Sequence, residues 1–147
     1  ASLFSGLSMK QIAKLLQIGV EHPHAKGSVL IREQEKLDRL VIVMVGSVSI
    51  QLEDTTLAQL GPGSHVGEIG FLTGNPTTAT VVATSNCMAL HIPYESLNNL
   101  IKKEPRLGQV LTHNISEHLA MRLTETNQRL VEFDVNTTAP LTPEPLV

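Results

Sequence analysis

Gly61-Pro62-Gly63-Ser64-His65-Val66-Gly67-Glu68-Ile69-Gly70-Phe71-Leu72-Thr73-Gly74-Asn75-Pro76-Thr77-Thr78-Ala79-Thr80-Val81 is the stretch of this 147-residue sequence from which its fold is read. Its residues spell a glycine-rich turn, one helical turn at about 69–72, a second turn and then a strand. A glycine-rich approach to a helix start bares backbone N–H groups at the positive end of the helix dipole, which suits an anion. Strand connections need glycine too, so a plain turn stays open beside the anion site. Glu68 equally has a plain reading, since a carboxylate at a helix start caps backbone N–H groups.

On both sides of this stretch, short β-branched runs alternate with turn residues. The runs are 29–31, 40–45, 48–52, 56–60, 78–83 and 87–92, and Gly27, Gly46, Gly61-Pro62-Gly63 and Asn75-Pro76 punctuate them. Many short strands at this spacing predict a sandwich, jelly roll or small barrel over 26–93. Val41, Val43 and Val45 alternate with Ile42 and Met44, so both faces of that strand are apolar and it is expected to be central. Ser47, Ser49 and Gln51 alternate with Val48, Ile50 and Leu52, as in a strand with one face in solvent.

Helices flank the strands. Ser8 and Gln11 have capping-box spacing, Ile12, Leu15 and Leu16 form a stripe, and Pro23 closes a helical segment predicted over 5–20. After Pro93, Leu97, Leu100 and Ile101 mark a second helix that Pro105 ends. A longer one follows from about Leu107, within an overall helical span of 94–135. In it Leu119, Leu123, Thr126, Leu130 and Phe133 step by four, three, four and three, the seam of a short coiled coil and hence of a homodimer. The alternative is that the stripe packs on the protein's own barrel. Residues 136–147, with Pro140, Pro143 and Pro145, are expected to form a disordered tail with no room for a second domain.

Composition narrows the function. A net charge of −3 and four aromatic residues (Phe4, Phe71, Phe133 and Tyr94), none of them Trp, give neither the electrostatic pull nor the stacking surface that nucleic acid requires. The single Cys87 sits in an apolar run and is expected in the core, and the lack of a disulfide framework points to the cytoplasm. No apolar run approaches the roughly 18 residues of a membrane span, and no secretory signal pattern opens the chain. The absence of an initiator Met is what a processed or excised piece would show.

Catalytic signals are missing. No Gly-x-Ser-x-Gly elbow or Walker-type lysine is present, and Glu68 has no second carboxylate in its stretch, so no enzyme is expected. His22-Pro23-His24 could offer two nitrogens to a metal, but no third ligand follows at a suitable spacing. These are read as surface histidines in a turn, with no metal site. His113 and His118, five apart on one helix, are read as solvated.

Order and spacing in the opening stretch resemble the phosphate-binding cassette of the cyclic-nucleotide-binding domain family, the effector fold of catabolite-activator-like regulators. Its pattern is Gly-Glu-aliphatic-small-apolar, about five residues, then Arg-small-Ala-Thr/Ser-aliphatic. Gly67-Glu68-Ile69-Gly70-Phe71-Leu72 supplies the first half and Thr78-Ala79-Thr80-Val81 the second. The likeness extends through Gly27 to Ile31, Asp38 to Val48 and Leu57 to Val66. It implies a mainly β fold, a jelly-roll barrel with an N-terminal helix, a short cassette helix and a long C-terminal helix, all within 1–135. It also implies roles. Glu68 would accept from a ribose hydroxyl, Gly67, Ile69 and Gly70 would turn backbone donors to the phosphate, and Thr78 would tolerate guanine. Thr77, Ala79 and Thr80 would complete the site.

One departure matters. The family's phosphate-pairing arginine falls at Thr77, which carries no charge. Removing one partner of a desolvated charge pair costs about 2–5 kcal/mol, a roughly 30-fold to several-thousand-fold loss of affinity. Two functions follow from the resemblance. In one, cAMP, cGMP or a related anion binds at 67–80 and moves the C-terminal helix. In the other, the fold is ligand-free and serves dimerisation or protein interaction. Bacterial relatives often continue into a DNA-reading helix-turn-helix, for which the proline-rich tail is too short.

Overall fold

The computed structural model describes residues 3–136, without the side chains of residues 126, 129, 130 and 132–136. In chain order the elements are α1 (Met9–Ile18), β1 (Val20–His24), β2 (Val29–Ile31), β3 (Arg39–Val45), β4 (Val48–Leu52), β5 (Thr55–Leu60), β6 (His65–Val66), α2 (Glu68–Thr73), β7 (Thr80–Ala83), β8 (Cys87–Pro93), α3 (Tyr94–Lys103) and α4 (Pro105–Asn136). The strands form two antiparallel four-stranded sheets, ordered β1-β8-β3-β6 and β2-β7-β4-β5. This is the jelly-roll arrangement that the family resemblance implies and one of those the strand spacing allows, with an N-terminal helix and a long C-terminal one.

Strand patterning sets two apolar layers, because successive side chains point to opposite faces. Val41 and Val43 of β3 and Cys87 and Ala89 of β8 turn toward the second sheet, meeting Ile31, Val48, Ile50 and Val81. Leu40, Ile42, Leu90 and Ile92 turn the other way and are covered by Leu15 of α1, Leu97 of α3 and Leu107, Leu111 and Ile115 of α4. A strand apolar on both faces therefore lies between two layers, and β3 is central, flanked by β8 and β6. Cys87 is in the core, and burial raises its thiol pKa.

Local signals explain the helix ends. The Ser8 hydroxyl accepts from the Gln11 N–H while the Gln11 side chain accepts from the Ser8 N–H, a complete capping box. Pro105 ends α3 and opens α4 as its first residue, where its missing N–H costs nothing. Gly108 lets the two helices close up, since a Cβ there would lie 2.5 Å from Ile101 Cγ2. Substituting Gly108→Ala should separate α3 from α4 and lower stability by about 1–3 kcal/mol, measured by urea unfolding. Asn114 of α4 donates from Nδ2 to the carbonyls of Leu3 and Ser5, both at 2.8 Å, tying the amino end to the long helix.

Several expectations need correction. The first helix spans Met9–Ile18, shorter than 5–20, and residues 20–24 form an edge strand where a helix end and turn were expected. Pro23 fits there because an edge strand leaves some N–H groups unpaired. His22 and His24 therefore lie on a strand. Ser49 is buried, not solvent-facing, and its hydroxyl accepts from the Gln51 side chain two residues along the strand at 2.9 Å. The expected tail beyond residue 136 lies outside the described residues.

Candidate functional site

The cassette begins where β6 ends. Gly67 caps α2 with φ +100°, and a Cβ there would come within 2.9 Å of the Arg39 carbonyl oxygen. Tyr94, at the start of α3, donates its hydroxyl to the Gly67 carbonyl and so pins this turn. Burial, followed by the nearby Glu68 charge, raises the Tyr94 pKa, so the phenol stays protonated and able to donate. The Phe71 and Tyr94 rings pack with centroids 5.4 Å apart.

Glu68, the first residue of α2, is completely buried. Its Oε2 lies 3.3 Å from His65 Nδ1, and its Oε1 lies 3.8 Å from His118 Nε2 on α4. Glu68 Oε1 and His118 Nε2 both lack a hydrogen-bond partner. The two imidazoles pack with centroids 4.7 Å apart. Burial lowers the His118 pKa most, His65 and Arg122 add to this, and Glu68 pulls the other way. His118 is thus half-buried on the carboxylate and not solvated. His113 does project outward, beside Glu117 at 3.5 Å.

The second half of the cassette is bound up with the β2–β3 loop. Thr77 is buried, and its hydroxyl donates to the Arg32 carbonyl at 2.9 Å. Its backbone N–H donates to the Glu35 carbonyl and its own carbonyl accepts from Gln34, both at 2.9 Å. Ala79 is fully buried, Thr78 is exposed, and Thr80 Oγ1 accepts from the Glu33 N–H at 3.0 Å. Ile69 and Gly70 lie in α2, both half-buried. Of the seam residues, Leu119 packs against the helix-covered core and Leu123 is 58% exposed. The side chains of Thr126, Leu130 and Phe133 lie outside the described residues.

Sequence reasoning missed three of these groups: Tyr94, His65 and His118. His118 could have been found. It follows Leu111 and Ile115 at seven and three residues, so it lies on the stripe that packs inward. A second cluster was also missed. His91 Nδ1 accepts from Arg39 Nε at 3.0 Å, which leaves the proton on Nε2, 3.0 Å from His24 Nε2. His22 stacks edge-on to His91 at 4.7 Å, and these residues line a cleft of about 380 Å³ with Asp38, Val20 and Pro93. Burial, then Arg39 and the neighbouring histidines, lower the His91 pKa to about 4. Among the described residues no group of three or more His, Cys, Asp or Glu is arranged to hold a metal ion, and no helix is long and apolar enough to cross a membrane.

The fold is thus a two-sheet jelly roll with a short helix between β6 and β7 and a long helix packed on its first sheet. Residues 21–104, more than half of the chain, match the family model described as cyclic nucleotide-binding domain, and the chain belongs to that family. It is 29% identical over 115 residues to the cAMP-activated global transcriptional regulator CRP of Salmonella typhimurium, covering 74% of this chain and 53% of that protein. It is 31% identical over 84 residues to a cyclic nucleotide-gated potassium channel of Mesorhizobium japonicum, covering 57% of this chain and 23% of the channel. Among solved structures, the catabolite activator protein of Thermus thermophilus is similar at TM-score 0.80 and 27% identity, covering 91% of this chain and 63% of that one. The chain spans about half the length of the CRP relative it matches.

Proposed function

We propose that the chain is a regulatory, non-enzymatic ligand-sensing module of the cytoplasm, in which a cyclic nucleotide such as cAMP or cGMP, or a related anion, binds at 67–80 and shifts α4. The observation that carries this reading is the contact of the cassette with α4: the Glu68 carboxylate lies 3.8 Å from His118. A group bound at the cassette then acts on the long helix through a neighbouring side chain. Gly67, Glu68, Ile69, Gly70, Thr78, Ala79 and Thr80 are the residues assigned to the ligand, and the names of the CRP and channel relatives support a nucleotide.

Thr77 supports a second reading, a ligand-free fold acting through α4. Its hydroxyl is committed to the Arg32 carbonyl, and Met121 and Leu123 stand 50% and 58% exposed on the helix. Calorimetric titration of the chain and of Thr77→Arg with cAMP and cGMP separates the two. Sensing of these nucleotides predicts heat from the unaltered chain, with tighter binding by Thr77→Arg. Binding by Thr77→Arg alone means a site disarmed at one position, and binding by neither removes the nucleotide reading. For the second reading, Leu123→Asp should convert a dimer to a monomer in sedimentation velocity, and an unchanged species would overturn the helix seam.

A further inference from the structure

We infer that His118 is an autoinhibitory cover on the cassette: it seats α4 over Glu68, and a ligand hydroxyl reaches that carboxylate only by displacing it. Glu68 is fully buried, and a carboxyl group is costly to remove from water without partners. Its Oε2 has His65, but its Oε1 has no hydrogen bond, and neither has the His118 Nε2 that faces it. A separation of 3.8 Å exceeds a hydrogen bond, so the contact covers the carboxylate without satisfying it. Such a contact is displaceable, because a hydroxyl that donated to Oε1 would supply the bond His118 withholds. His118 is held by its place on α4, between the core residue Ile115 and Leu119 packed against that core, and by ring contact with His65. Helix docking and ligand entry therefore compete for one oxygen atom.

The inference deepens the ligand reading above, but its first test needs no ligand. Carbodiimide with glycine ethyl ester modifies accessible carboxylates, and peptide mass spectrometry locates the products. In the unaltered chain Glu68 should react at least tenfold more slowly than the exposed Glu53 and Asp54. His118→Ala, which keeps a strong helix former, should raise Glu68 labelling about tenfold. His118→Gln, which restores a polar cover, should bring it back toward the original rate. Leu119→Ala weakens helix packing without touching Glu68 and should leave labelling low. Equal labelling of Glu68 in the unaltered chain and His118→Ala, or a rise with Leu119→Ala as large as with His118→Ala, overturns the cover. The second arm titrates Thr77→Arg and Thr77→Arg/His118→Ala with cAMP, and the double variant should bind at least fivefold more tightly. Equal binding by both also overturns the competition. Raised labelling with no binding by either upholds the cover and removes the nucleotide reading.

Discussion

Gly67→Ala should destabilise the chain by about 2–5 kcal/mol and displace the cassette. Two effects combine at this residue. Its φ of +100° is one that L-residues adopt only with strain, about 1–2 kcal/mol in the left-handed region. The new methyl would also lie 2.9 Å from the Arg39 carbonyl oxygen and 3.3 Å from the Tyr94 hydroxyl. The carbonyl belongs to a strand paired with β8 and cannot retreat, and overpacking of this kind costs about 1–3 kcal/mol. Gly63→Ala is the control, because its φ is +88° but nothing lies within 4 Å of the added carbon. It should lose only the conformational part, about 1–2 kcal/mol. Urea unfolding of both variants measures the difference, and equal losses would mean that the space around Gly67 yields.

Acid should destabilise the fold through His91. Its pKa is about 4 in the folded chain against 6.5 in an unfolded one. Between those values the unfolded chain binds more protons, so stability rises with pH across the window. The contribution is complete above about pH 6.5 and is lost as pH falls toward 4. At about 1.4 kcal/mol per unit the ceiling is about 3 kcal/mol, and solvent in the open cleft reduces the realised loss to about 2 kcal/mol. His24 and His118 are lowered too and act in the same direction. His91→Gln keeps an acceptor for Arg39 but does not titrate. Unfolding free energies at pH 7 and pH 4.5 should therefore differ less in this variant than in the parent, and an identical difference would exclude His91 as the source.

The sheets were legible because burial on one or both faces writes itself into local residue choice. Val41 to Val45, Val48 to Leu52 and Cys87 to Ile92 announce strands by their apolar content, and the glycine turns separate them. Val20 to His24 gave no such signal. An edge strand with most side chains in solvent needs no alternation, and Pro23 argued against a strand altogether. The two-residue β6 is too short to carry a pattern. In the cassette the spacing of Gly67, Glu68 and Thr78-Ala79-Thr80 was plain, as was the missing arginine. What surrounds Glu68 was not, because His118 lies fifty residues further along and meets it only after α4 has packed on the first sheet. The His24–His91 pairing was hidden similarly, with His91 set inside an apolar run that marks it only as strand.

Asn114 holds both Leu3 and Ser5 from one side-chain nitrogen on the same helix that carries His118, four residues away. Any rearrangement that lifts α4 from Glu68 also pulls on the start of the chain. A fluorophore placed near Ser5 would thus act as a remote gauge of the helix, reporting its position without touching the cassette.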